Sequence, residues 1–89
     1  GSILYANISL SDFRKIGDKD VYKMTYSNSS GQNGNGVAYR RGRDFSFEII
    51  LHSGTSRLNK IYGRGRFDAN YSHLDGDDSA GCIFSADGR

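Results

Sequence analysis

From Val37 onward the chain alternates between apolar and polar residues in short runs separated by turn-forming residues. The clearest run is Phe45–Leu51, where Phe45, Phe47, Ile49 and Leu51 alternate with Ser46, Glu48 and Ile50. A period of two places one set on each face of a half-buried strand. Val37–Arg40, Leu58–Tyr62, Phe67–Tyr71 and Cys82–Ser85 read as further strands. Gly63-Arg64-Gly65, Ser53-Gly54-Thr55 and Asp75–Gly81 supply turns.

The first third of the chain reads differently. Ile3–Ile8 is apolar enough for a strand, and Ser9 or Ser11 followed by Asp12 resembles a helix N-cap with a carboxylate in the first turn. Phe13, Ile16, Val21 and Met24 then fall on one helical face, which predicts a helix from about Ser11 to Tyr26. A competing reading ends the helix at Gly17 and makes Val21–Tyr26 a strand, with Tyr22, Met24 and Tyr26 on one face. Ser27–Gly36 reads as a polar loop. The fold class expected from this pattern is α+β, one N-terminal helix packed on an antiparallel sheet of four to five strands.

No repeat, heptad run or proline divides the chain, so 1–89 reads as one domain, with Gly1-Ser2 in the form of a protease-cleavage scar. A domain of 89 residues buries only about 60–65% of its unfolded surface. Six Tyr and five Phe must therefore supply much of the core area. The formal net charge of +2 falls short of a dedicated high-affinity nucleic-acid binder, but its distribution is uneven. Arg40, Arg41 and Arg43 form one basic group and Arg64 and Arg66 another, while Asp75, Asp77 and Asp78 form an acidic knot.

Tyr39, Phe45, Tyr62 and Phe67 lie near the arginine groups, so phosphate holding with base stacking is a candidate role. The candidate binding set is Tyr39, Arg40, Arg41, Arg43, Tyr62, Arg64 and Arg66; a solvated basic edge that protects strands is the alternative. Metal binding is not expected from Cys82, His52 and His73, which are too few and too widely spaced. Asp75-Gly-Asp-Asp lacks the spacing and closing Glu of a calcium loop.

Glu48, Arg57 and His73 supply a carboxylate, a guanidinium and an imidazole in that order. This is the equipment of metal-free RNA transesterification. A carboxylate takes the 2′-OH proton, an imidazolium returns one to the leaving oxygen, and Arg stabilises the charged phosphate. His52 lies about 13 Å along the same strand from Glu48, out of direct reach, and reads as structural.

Phe45–Gly54 (FSFEIILHSG) and Asn70–Phe84 (NYSHLDGDDSAGCIF) resemble, in that order, segments of the RNase-like effectors of powdery mildew haustoria. Those effectors in turn resemble small guanyl-specific fungal ribonucleases. Tyr5-Ala6-Asn7 falls where that family has Tyr-x-Cys, so Asn7 stands in place of the partner that the resemblance implies for Cys82. By the same resemblance Glu48 matches the catalytic base, His73 the acid and Arg57 the phosphate-binding residue. The family's further histidine has no counterpart in Val37-Ala38-Tyr39-Arg40.

The resemblance thus implies a secreted, monomeric, cofactor-free effector on a ribonuclease-like scaffold with an eroded site. It would act inside the host plant cell, away from membranes, by binding host protein or RNA, and be open to recognition by an immune receptor. Two alternatives remain: an active endoribonuclease, and a six-stranded β-sandwich effector, to which Gly42–Phe47 leading into Leu58–Tyr62 also bears a loose resemblance.

Overall fold

The computed structural model describes residues 3–52 and 59–87. Seven strands wind in sequence order into a closed barrel: β1 (Leu4–Ile16), β2 (Lys19–Asn28), β3 (Asn33–Arg41), β4 (Asp44–Leu51), β5 (Lys60–Phe67), β6 (His73–Asp78) and β7 (Cys82–Asp87). Each strand runs antiparallel to the next. With an odd number of strands the first and last must point the same way, and β1 and β7 close the barrel in parallel through Leu4↔Cys82, Tyr5↔Ile83 and Ala6↔Phe84.

The N-terminal helix of the expected α+β fold is absent among the described residues; the segment is a β1–β2 hairpin. Two local facts explain the correction. Gly17 and Asp18 form a two-residue hairpin loop with Gly17 at φ +62°, a backbone that glycine adopts without penalty. Leu10 and Met24 face each other across the ladder with a strand period, so of the expected helical face only Met24 is buried, while Phe13 and Ile16 stay exposed. The competing reading of Val21–Tyr26 as a strand, with Tyr22, Met24 and Tyr26 on one side, matches β2.

Three further boundaries move. The polar stretch Ser27–Gly36 is largely strand, since β2 runs to Asn28 and β3 starts at Asn33. Gly63-Arg64-Gly65 lies inside β5 rather than in a turn. His73–Asp78 is a strand, where Asp75–Gly81 reads from sequence as a loop. The Ser53-Gly54-Thr55 turn lies outside the described residues.

The interior is filled by side chains. Phe45 packs against Phe47, Phe67 and Phe84 with ring centroids 6.2, 5.9 and 6.3 Å away, and Phe47 meets Phe84 at 5.6 Å and Tyr26 at 5.9 Å. Such tilted and edge-on pairs each add about 0.5–1.5 kcal/mol beyond the area they bury. Room for the rings comes from inward-facing glycines on β5 and β6. A Cβ on Gly63 would stand 2.0 Å from the Phe47 ring, and one on Gly76 would stand 2.4 Å from Phe84. Small positions opposite large ones let so few strands close around an aromatic core.

One polar group crosses this interior. Tyr26 donates its hydroxyl hydrogen to Asp78 Oδ2 at 2.7 Å, while Asp78 Oδ1 accepts the N–H groups of Ala80 at 2.9 Å and Cys82 at 3.2 Å. Asn28 donates to the Tyr26 oxygen and to Gln32. The network ties the end of β2 to the β6–β7 turn. Burial first, and then the neighbouring Asp78, hold the Tyr26 hydroxyl well above the usual phenol range.

Candidate functional site

Because Ala38, Phe45, Phe47, Ile49 and Ile61 point inward, their neighbours on β3, β4 and β5 point outward together. Register sets them in rows across the three strands: Val37, Glu48 and Tyr62; then Tyr39, Ser46 and Arg64; then Arg41, Asp44 and Arg66. Lys19 joins the last row from β2, which pairs Asp20 with Arg40. The structure thus gathers Tyr39, Arg41, Tyr62, Arg64 and Arg66 on one outer face.

Ser46 is the smallest outward side chain in the middle row, and a groove runs over it along β4. One end, about 510 Å³, lies among Lys19, Tyr39, Arg41, Asp44 and Arg64. The other, about 360 Å³, lies among Tyr39, Glu48, Tyr62 and Arg64. Tyr39 and Tyr62 are 38% and 53% exposed, large areas for aromatic rings, and they stand diagonally across β4. The Lys19 ammonium lies 5.5 Å from the Tyr39 ring centre. Arg41 pairs with Asp18 at 3.2 Å, whereas Lys19, Arg64 and Arg66 make no ion pair among the described residues. The acid at the far end, Glu48, is taken by Lys60 at 2.9 Å, and that bond raises the Lys60 pKa. The groove therefore sets Arg64 and Arg66, free of ion pairs among the described residues, beside the exposed Tyr62 ring and the Tyr39 ring that Lys19 overlies.

Other expected members go elsewhere. Arg40 borders the groove, but its guanidinium lies over the rings of Tyr71 at 4.5 Å and Phe67 at 4.9 Å, with Asp20 at 4.0 Å and its Nε donating to the Gly42 carbonyl at 3.0 Å. It caps the barrel mouth. The loop that brings Tyr71 there is held by Asp68, whose carboxylate accepts from Ser72 and sits below its usual pKa for that reason. Arg43 lies in the exposed β3–β4 turn. Phe45 and Phe67, which the sequence offers as stacking rings, are buried in the core.

The catalytic candidates do not gather. Glu48 stands opposite Tyr62, while His73 lies beside Asp68, two strands away and six residues further along β5. That is roughly 20 Å along the strands at ~3.3 Å per residue. Arg57 lies outside the described residues. His73 has its own neighbours: Nε2 is 3.0 Å from Asp75 Oδ1 and 3.1 Å from Ser85 Oγ. Both partners use the same ring nitrogen, whereas a Ser–His–Asp relay needs one on each. His52 bonds Asn35 Oδ1 at 2.8 Å. Cys82 is a free thiol pointing into the core, paired in register with Leu4, while Asn7 faces outward. Among the described residues no three His, Cys, Asp or Glu side chains come together as a metal site.

Sequence reasoning overlooked Lys19 and Ser46. Neither carries a local signal, since Lys19 reaches the groove only through the β2–β3 register and Ser46 matters only for being small. Comparison with protein families, with characterised proteins and with solved structures finds no match to this chain.

Proposed function

We propose that this chain is a non-catalytic recognition module whose β3–β5 face holds a short single strand of RNA. The observation that carries the reading is the groove over Ser46, with Tyr62 and the exposed part of Tyr39 available to stack bases and Lys19, Arg64 and Arg66, which make no ion pair among the described residues, beside them to meet phosphates. Stacking on an aromatic ring contributes about 1–3 kcal/mol per base and tolerates any sequence. The separation of Glu48 from His73 supports binding without turnover.

The reading keeps the effector role and its secreted route into the host cell, now on an all-β module. The one sequence feature behind it is the loose resemblance of Gly42–Phe47 leading into Leu58–Tyr62 to six-stranded β-sandwich effectors, from which the seven-stranded closed barrel differs in strand number and closure. Fluorescence anisotropy with a labelled single-stranded RNA tests the binding claim. Tyr39→Ala and Arg64→Glu should each weaken binding at least fivefold, and log K should fall with log salt at a slope near −2 for about three neutralised phosphates. RNA affinity indifferent to both substitutions overturns the reading. Binding of an acidic protein that depends on Arg64 but not on Tyr39 transfers the face to a protein partner.

A further inference from the structure

On the far side of the barrel from β4, the closing seam is short. The ladder to β7 ends at Ala6↔Phe84, and beyond it, among the described residues, Asn7–Ile16 of β1 pair with β2 alone. The free side of that segment is a sheet edge. Tyr5 donates its N–H to Ser29 Oγ at 3.0 Å and accepts the Ser29 N–H at 2.8 Å, so its backbone faces β2. By the alternation of an antiparallel ladder, the backbone groups of Ile8 and Leu10 then face away from β2, along the open edge. A bulge between Ser11 and Arg14, with Asp12 at φ +49°, ends the regular part of this edge.

Side chains around the edge define what it accepts. Ile8 and Leu10 pack only partly against the core; Phe13, inside the bulge, lies 5.4 Å from the Tyr22 ring yet is 57% exposed, and Ile16 beyond it is 59% exposed. The acids nearby are already engaged, Asp12 by Lys23 at 3.1 Å, Asp18 by Arg41 at 3.2 Å and Asp20 by Arg40 at 4.0 Å. Arg14 and Lys15 make no ion pair among the described residues. Lys15 has Asp20 opposite it in the ladder, so the edge combines unpaired main chain, apolar side chains and one cation, Arg14, without an acid across from it. Only a parallel, in-register second copy would set Arg14 against its own kind; the regular stretch Asn7–Ser11 is five residues long, at the short end of the usual strand length.

We propose that the Asn7–Ser11 edge of β1 takes an extended segment of a partner protein as an added strand, with alternate apolar residues on the Ile8 and Leu10 face and acidic residues on the opposite face, toward Arg14 beyond the bulge. Main-chain hydrogen bonds would supply the attachment and the side chains the selection. The site is independent of the β4 groove.

A synthetic peptide of alternating valine and glutamate, long enough to span Asn7–Ile16, is the probe. Its addition to the whole chain should slow amide exchange at Ile8 and Leu10 by about tenfold or more, because these amides become hydrogen-bonded donors. The same peptide N-methylated at every second residue should give no slowing, and Arg14→Glu should reduce the slowing severalfold. No slowing with the unmodified peptide overturns the proposal, as does equal slowing with the N-methylated one. Slowing undiminished by the charge reversal overturns the acidic partner. Slow exchange without any peptide, together with a dimer in sedimentation, assigns the edge to a second copy and overturns it as well.

Discussion

Replacing Gly36 by Ala tests the closeness of the barrel wall. Gly36 lies mid-strand in β3, opposite Met24 on one side and Ile49 on the other. A Cβ there would stand 2.0 Å from the Glu48 carbonyl oxygen and 2.7 Å from the Ile49 Cα. Both are backbone atoms of β4, so no rotamer change relieves the clash. The strands must part by about 1 Å or more, well outside a hydrogen bond's tolerance. Two ladder bonds opened with their buried groups left unpaired cost roughly 2–6 kcal/mol. Alanine's lower chain entropy returns about 0.5–1 kcal/mol. The net loss of roughly 1–5 kcal/mol is a large part of the 4–13 kcal/mol expected for a domain of this size at ~0.05–0.15 kcal/mol per residue.

Urea unfolding measures the loss, and amide exchange along the β3–β4 ladder locates it. Gly42→Ala is the control, because Gly42 has φ +59° with nothing within 4 Å of an added Cβ, and only the backbone conformation, about 1–2 kcal/mol, is at stake. Gly36→Ala should cost more and should speed exchange within the ladder, which the control leaves alone. If Gly36→Ala is as stable as wild type with its ladder still protected, β3 does not approach β4 as described. A loop at 27–36, the expectation from sequence, predicts that harmless outcome.

Three further outcomes are expected. Tyr26→Phe strips the half-buried Asp78 Oδ2 of its donor and should cost about 1 kcal/mol in a denaturant titration. Because the folded pKa of Tyr26 is raised, its stabilising effect is present below the unfolded phenol pKa near 10 and is lost as pH rises above it; Tyr26→Phe should remove that part of the alkaline decline. Glu48→Gln and His73→Ala should leave RNA incubated with the protein as intact as wild type does, and products that vanish in both variants would restore a catalytic reading. Arg40→Lys gives up planar stacking on Phe67 and Tyr71 and should lower stability by about 1 kcal/mol in thermal unfolding.

The residues alone specify several things about this protein. Alternation in Phe45–Leu51 identifies β4 and its inward face, because a strand's period is local and needs no partner to be read. The aromatic count signals a core built on rings, and of the arginine groups Arg41, Arg64 and Arg66 lie on the outer face with Tyr39 and Tyr62, whereas Arg40 and Arg43 do not. Gly17-Asp18 also carried a readable hairpin signal, outweighed by an apolar spacing that fits a helix and a strand pair alike.

Tertiary structure decided the rest. Gly34, Gly36, Gly63, Gly65 and Gly76 look like loop residues until the opposing backbone or ring that excludes a Cβ is in place. Barrel closure depends on three residue pairs between chain ends nearly eighty positions apart, a contact that no local pattern encodes. The same long-range register parts Glu48 from His73 and joins Lys19 to Arg41, since sequence order fixes neither the neighbour of a strand nor the level at which the two meet.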